Sequence, residues 1–156
     1  EVADLYEDTA DDAGVTLVTS VPAGLTVSAD RDRLRQALAN LVDNAIKYTP
    51  RGGRAEIAAS TCPGQVVIAV SDTGAGISEQ DLPRIFDRLY RGDQSRTTRG
   101  LGLGLSLVRA YVEAQGGTVI VRSAPGQTQV SGGARSCSCA ASTRRDRGTP
   151  KPRSRS

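Results

Sequence analysis

The chain contains no histidine, no methionine and no tryptophan, and its 156 residues hold one phenylalanine and four tyrosines. Without histidine there is no Ser-His-Asp triad, no histidine metal site and no phosphohistidine formed on this chain. Without methionine, residue 1 is expected not to be an intact translation start. No apolar run approaches the roughly 18 residues of a membrane helix. Nothing at the N-terminus reads as a signal peptide. The expectation is a cytoplasmic chain with no membrane contact. Cysteine is scarce: Cys62 stands alone, and Cys137 and Cys139 are separated by one residue. That spacing is too tight for the usual zinc pairing, and free thiols in a reducing compartment are expected.

Acidic charge is lacking only at the C-terminal end. The formal charge is +3. Residues 127–156 carry seven Lys/Arg against one Asp, which leaves thirteen bases against sixteen acids in residues 1–126. The basicity therefore belongs to a tail on a mildly acidic body, and no nucleic-acid partner is expected.

The body has the grammar of one domain. Residues 1–13 read as a short helix with Val2, Leu5, Tyr6 and Thr9 on one side. Residues 15–20 and 24–28 read as a hairpin turning at Pro22 to Gly24. Asp30 is a natural N-cap for a helix from Arg31 to Tyr48. Its apolar residues, Leu34, Ala37, Leu38, Leu41, Val42, Ala45 and Ile46, step by 3 and 1 in alternation, an amphipathic pattern. Strands are expected at 54–60 and 65–71, a short helix at 78–87, and a loop over 88–100. A helix at 103–115 would bury Leu103, Leu107, Ala110, Tyr111 and Ala114, and a strand covers 117–122. Residues 127–156 have a disordered composition, with Val130 their one large aliphatic residue. The layout predicts an α+β fold, with residues 1–126 as the domain and 127–156 as a basic tail.

Four segments carry chemistry. On the long helix, Asn40, Asn44 and Lys47 fall within about 60° of arc, at about 100° per residue. Asparagine is a poor helix former, so two of them four apart need a reason. Exposed amides are one reading. A pocket edge is the other, since an amide oxygen suits Mg²⁺ and a lysine one turn on can meet phosphate. Asp72-Thr73-Gly74-Ala75-Gly76 follows the apolar strand Val66–Val70. An ionised Asp accepts hydrogen bonds only, so it matches the exocyclic amine of adenine, and the glycines allow close backbone approach. As an isolated pentapeptide it equally fits a plain turn. Gly100-Leu101-Gly102-Leu103-Gly104-Leu105 runs from loop into helix, where exposed N–H groups favour anions. Phe86-Asp87-Arg88-Leu89-Tyr90-Arg91 gathers two of the five aromatics beside arginines suited to phosphate.

In this order and spacing the segments resemble the ATP-binding catalytic domain of bacterial two-component sensor histidine kinases, in the superfamily shared with gyrase, heat-shock chaperone and mismatch-repair ATPases. The resemblance spans about residues 1–125. "NLVDNAIKYT" at 40–49 matches the asparagine box, "DTGAGI" at 72–77 the first glycine box, and "GLGLGL" at 100–105 the second. "IFDRLYR" at 85–91 matches the phenylalanine box, with Leu89 where an aromatic is more usual.

The resemblance implies a two-layer α/β sandwich, a mixed sheet against three helices, with residues 88–100 as a flexible ATP lid. It implies ATP and Mg²⁺ as ligands. Asn44 would bind the magnesium, with Asn40 supporting it through water. Lys47 would contact phosphate and Tyr48 would pack on adenine. Asp72 would accept the adenine amine, with Gly74, Gly76 and Ile77 shaping that wall. Arg88 and Arg91 would approach the γ-phosphate or the partner domain. Gly100, Leu101, Gly102, Leu103 and Gly104 would form the lid hinge and phosphate-facing backbone.

A comparison between branches of the superfamily and two departures, the missing histidine and the ending, shape the functional reading. ATPase branches carry a glutamate base where this chain has Asn40, which cannot take a proton. An attacking imidazole needs no such base, so the expected activity is ATP-dependent phosphorylation of a histidine. The first departure is the missing histidine: the dimerisation hairpin that carries it in the family would precede residue 1. The chain is therefore expected to be either a domain taken from a longer kinase or one polypeptide of a split kinase whose histidine lies on a separate partner protein, with a response regulator further downstream. The alternative is a degenerate, non-catalytic nucleotide-binding module that regulates a partner. The second departure is the ending. The family closes with Gly-Thr-x-Phe and a final strand, whereas residues 132–139 read Gly-Gly-Ala-Arg-Ser-Cys-Ser-Cys. One codon choice for Gly133 to Cys139, read two nucleotides on, spells Gly-Thr-Phe-Met-Leu-Val. A frameshift near residues 126–132 is therefore expected to have replaced the last strand, leaving a sheet edge open.

Overall fold

The computed structural model describes residues 1–91 and 102–135. The first helix, α1 (Val2–Ala13), ends at Gly14, whose φ of 69° returns its N–H to the carbonyls of Ala10 and Asp11. That left-handed turn is cheap only for glycine. Ala10 is buried on its inner face and Tyr6 packs beside it. Leu5 does not join that face; it is 63% exposed.

The following strand, β1 (Thr16–Ser20), is not half of a hairpin. Residues 24–28 form no strand. The chain instead enters α2 (Arg31–Tyr48) and returns as β2 (Arg54–Cys62), which pairs with β1 in parallel, Leu17 opposite Ala55. The turn signal at Pro22 to Gly24 only redirects the chain into the crossover helix, the connection that parallel strands require. The cap signal at Asp30 is fulfilled: its Oδ1 accepts the N–H groups of Asp32 and Arg33, both at 3.1 Å. The buried stripe of α2 is Ala37, Leu41, Val42, Ala45 and Ile46.

The strand β3 (Gln65–Asp72) runs antiparallel to β2, with Ile57 opposite Val70. Residues 78–87 form no α-helix. Ser78 and Asp81 close a hydrogen-bonded turn, and one 3-10 turn follows at Leu82–Arg84. Pro83 lacks the N–H that a longer helix would use. The last helix, α3 (Gly104–Ala114), buries Val108 and packs Leu105, Tyr111 and Val112 on the core. Leu107 is 52% exposed, so the buried face lies about one residue round from the expected stripe. The Tyr111 hydroxyl donates to the Asp30 carbonyl at 3.1 Å, joining α3 to the start of α2.

The sheet closes with β4 (Val119–Ala124) and β5 (Gln127–Arg135). Here the expectation of a disordered tail from residue 127 fails. β5 lies between β3 and β4, antiparallel to both, in the order β1-β2-β3-β5-β4. Thr128 and Val130 alternate inward and are buried. Gln127-Thr128-Gln129-Val130 thus supplies a period-2 strand that the Ser/Gly/Arg composition around it masked. The expected open edge after residue 126 is accordingly filled. Residues 136–156, including Cys137 and Cys139, and most of the expected lid lie outside the described residues.

The result is a mixed five-stranded sheet layered against three helices, the expected α+β sandwich. Val42, Val66 and Val108 are its largest fully buried side chains. Among the described residues, no helix is long and apolar enough to cross a membrane.

Candidate functional site

The C-terminal end of α2, the end of β3 and the start of α3 converge at one rim of the sandwich. Asp72 closes β3, directly opposite Ala55 on one side and Thr128 on the other. Its Oδ1 accepts the Gly74 N–H at 2.9 Å, an Asx turn that aims the loop. Burial pushes the Asp72 carboxyl above the ordinary carboxylate range, opposed by the Gly74 hydrogen bond.

The glycine loop is bound to α2. The Ala75 N–H donates to the Tyr48 carbonyl at 3.4 Å. A Cβ on Gly74 would lie 2.5 Å from that carbonyl oxygen, and one on Gly76 2.6 Å from the Ala124 oxygen. Both glycines are therefore required by space, and Gly76 also by its φ of 81°. Thr73 stitches the loop to β2, its hydroxyl accepting the Arg54 N–H at 2.9 Å.

On α2, Asn40 and Asn44 are half-buried. The Nδ2 of Asn40 is buried with no hydrogen-bond partner among the described residues. Leaving such a group unpaired costs about 1–3 kcal/mol. Gly104 opens α3 beside it: a Cβ there would sit 3.7 Å from the Asn40 Cβ and Cγ. That is ordinary contact, so Gly104 is not sterically required. Lys47, in the last turn of α2, lies 5.9 Å from the ring centroid of the partly exposed Tyr48.

Gly102 is required by space. Its φ is 68°, and a Cβ would lie 2.7 Å from the Tyr90 carbonyl oxygen. Its own carbonyl accepts the Leu89 N–H at 3.0 Å, and Leu89 itself takes a φ of 62°. The second glycine run is thereby clamped to the Phe86–Arg91 segment. Arg109 of α3 stands over Phe86 at 5.6 Å, and Arg84 over Tyr90 at 4.3 Å. Arg88 is exposed, and Arg91 is half-buried where the described chain pauses. The structure thus joins Asn40 with Gly104, and Tyr48 with Gly74 and Asp72. Leu103 precedes α3 as its N-terminal flank. Gly100 and Leu101 lie outside the described residues.

Two polar residues at this rim escaped the sequence reading. Ser123 of β4 accepts the Ile77 N–H at 2.8 Å, and its hydroxyl lies 3.0 Å from that of Thr128. The alternation of Thr128 with Val130 was the one signal that could have exposed this pair.

Comparisons with known proteins identify the family and the fold. Residues 29–136 match the family model described as histidine kinase-, DNA gyrase B-, and HSP90-like ATPase. The chain belongs to that family, and its relatives are sensor histidine kinases. It is 47% identical over 116 residues to the histidine protein kinase DivJ of Caulobacter vibrioides, covering 72% of this chain and 19% of that protein. It is 49% identical over 113 residues to the adaptive-response sensory kinase SasA of Synechococcus elongatus, covering 71% and 29%. SenX3, a sensor-like histidine kinase of Mycobacterium tuberculosis, is 41% identical over 128 residues, covering 81% and 31%. The chain thus spans less than a third of the length of these relatives. Among solved structures, the catalytic domain of the histidine kinase ThkA superposes with a TM-score of 0.77 at 28% identity, covering 86% of this chain and 87% of that one. Full-length ShkA in complex with AMPPNP gives 0.75 at 33% identity, covering 85% and 28%.

Proposed function

We propose that this chain binds Mg-ATP and donates the γ-phosphate to a histidine on a separate partner protein, in two-component signalling in the cytoplasm. The observation that carries the reading is Asp72: a half-buried carboxyl, held by the Gly74 N–H, at the end of β3. An adenine amine donating to it would offset the cost of its burial. Gly74 keeps a Cβ off the Asp72 carboxyl, and Gly76 lets the loop that follows lie close against β4. Tyr48 would lie against the ring.

The residues also fit a metal-bound triphosphate. Among the described residues, no cluster of three His, Cys, Asp or Glu could hold a metal ion. A bound magnesium would take its oxygens from the nucleotide phosphates and the Asn44 amide, and would neutralise charge on the phosphates. The orphaned Asn40 amide would donate to a phosphate or to an ordered water. Lys47 would add positive charge nearby, with Arg88 and Arg91 brought up from the neighbouring segment. Gly102 and Gly104 would present backbone N–H groups at the start of α3, and Gly100, Leu101 and Leu103 would complete that approach. Catalysis would then be positioning plus charge neutralisation.

Asn40 stands where a hydrolytic relative needs a carboxylate base, so the site favours transfer to an imidazole over transfer to water. With no histidine among these 156 residues, the reading places the acceptor and the downstream response regulator outside them. The test is a mixing assay with γ-labelled ATP. The chain alone should take up no label, and a histidine-hairpin protein added to it should become labelled. Label on this chain by itself would sink the reading. The departure from the family's closing Gly-Thr-x-Phe favours one rival, a regulatory module that binds nucleotide without transfer. It predicts ATP binding with no label on any partner.

A further inference from the structure

The loop that closes the adenine-binding wall is intrinsically loose. Two of its three residues between Thr73 and Ile77 are glycines, which lose the most backbone entropy on ordering. Its first half is held by Asp72 and by the Tyr48 carbonyl. Its second half is held from the far side of the sheet. The Ile77 N–H donates to Ser123 Oγ at 2.8 Å, and Gly76 lies flat against the Ala124 carbonyl.

Ser123 does not act singly. Its hydroxyl and that of Thr128 are 3.0 Å apart, and either can donate. Having accepted the Ile77 N–H, Ser123 Oγ still has a proton to give and a second lone pair to offer. The hydrogen bond between the two hydroxyls therefore forms whichever of them donates. Ser123 faces Thr128 across the β4–β5 ladder, and Thr128 faces Asp72 across the β3–β5 ladder. One row of the sheet thus carries the base-recognising carboxyl, and two strands along, the hydroxyl that anchors the end of the same loop.

From this arrangement we propose that Ser123 is a positioning residue for nucleotide binding. Its hydroxyl, backed by Thr128, latches the Ile77 backbone to β4. The latch fixes the path of Gly74–Gly76, and so the direction in which Asp72 presents its carboxyl. A ligand meeting a latched loop pays no ordering cost on binding. Because the latch acts at the base end of the site, it bears on base discrimination more than on phosphate binding.

This inference rests on the reading of Asp72 as the adenine acceptor, and the experiment separates the two. The whole chain is titrated with Mg-ATP and with Mg-GTP by calorimetry, in wild type, Ser123→Ala, Ser123→Thr and Thr128→Val. Ser123→Ala should weaken Mg-ATP binding by about tenfold, the loss of one well-placed hydrogen bond. It should also narrow the preference for ATP over GTP. Ser123→Thr, which keeps a hydroxyl on a strand-favouring residue, should restore both. Thr128→Val keeps the side-chain shape and removes only the second hydroxyl, so it should give a smaller loss of the same kind. A merely structural role would lower the melting temperature without moving the ATP/GTP ratio. Wild type that binds no Mg-ATP overturns the site reading, and the latch with it. Wild type that binds, with Ser123→Ala unchanged in affinity and selectivity, overturns the latch alone. If Ser123→Ala does not fold, Thr128→Val decides, and an unchanged ATP/GTP ratio there overturns the proposal.

Discussion

Asp72 and Thr128 face each other across the β3–β5 ladder, the carboxyl half-buried and the threonine buried. This pairing exists only because β5 inserts between β3 and β4. It puts a costly charge on the inner face of the sheet, where an Asx turn to Gly74 eases it.

That cost has a sign that can be measured. Burial raises the Asp72 pKa in the folded state above its unfolded value of about 3.9. Just above that pH the folded state holds the more protons, so this group's contribution to stability falls as pH rises through the raised pKa and stays reduced at neutrality. Asp72→Asn should remove this component. Thermal melts of the nucleotide-free chain from about pH 4 to 7 should show a flatter profile for the variant and no loss of stability at neutral pH. The same variant should discriminate less between adenine and guanine, since an amide both donates and accepts. A variant clearly less stable at neutral pH, with the wild-type slope, would contradict the assignment.

Asn44→Ala tests the metal site. Alanine is the better helix former by up to about 0.7 kcal/mol, so α2 should not suffer. The magnesium-dependent part of ATP binding should disappear while the melting temperature holds or rises. Normal Mg-ATP binding by this variant would show that Asn44 is not the ligand.

Gly76→Ala tests the glycine loop by shape alone. The new Cβ would lie 2.6 Å from the Ala124 oxygen, on a backbone with a φ of 81°. The strain should cost about 1–3 kcal/mol, read as a lower denaturation midpoint. Gly24→Ala is the control. It has a comparable φ of 75° with nothing within 4 Å, so only the conformational part of the penalty should remain. Equal losses at the two positions would dismiss the close approach to β4.

Truncation after Gly126 tests β5. Removing it would strip β3 and β4 of their shared neighbour and expose Val70 and Val121, which face Val130 across it. The shortened chain should show no cooperative melt and should aggregate through its unpaired edges. A folded, soluble 1–126 fragment would mean that β5 is dispensable.

Much of the site was legible because its signals are local. The asparagine spacing on α2, the Asp-Thr-Gly-Ala-Gly run and the second glycine run each name a helix face or turn from neighbouring residues alone. α2 itself begins and ends where Asp30 and the last apolar residues place it. The misreadings are non-local. Residues 15–20 and 24–28 look like a hairpin, because a turn signal says nothing about whether the next element pairs or crosses over. Leu5 and Leu107 look buried, because helical spacing defines a stripe but not which side the sheet covers. β5 hides because its strand character rests on Thr128 and Val130, two residues amid glutamine, glycine and serine.

By itself, then, the sequence determined the chemistry available: an asparagine-rich helix, a carboxylate before glycines, arginines beside an aromatic segment, and no histidine to receive a phosphate. These are properties of residue type and short spacing. Only the tertiary structure decided that Thr128 and Ser123 share a row with Asp72, and that residues 127–135 close the sheet. Strand pairing is settled by which partners bury each other's faces, and that is a property of the whole fold.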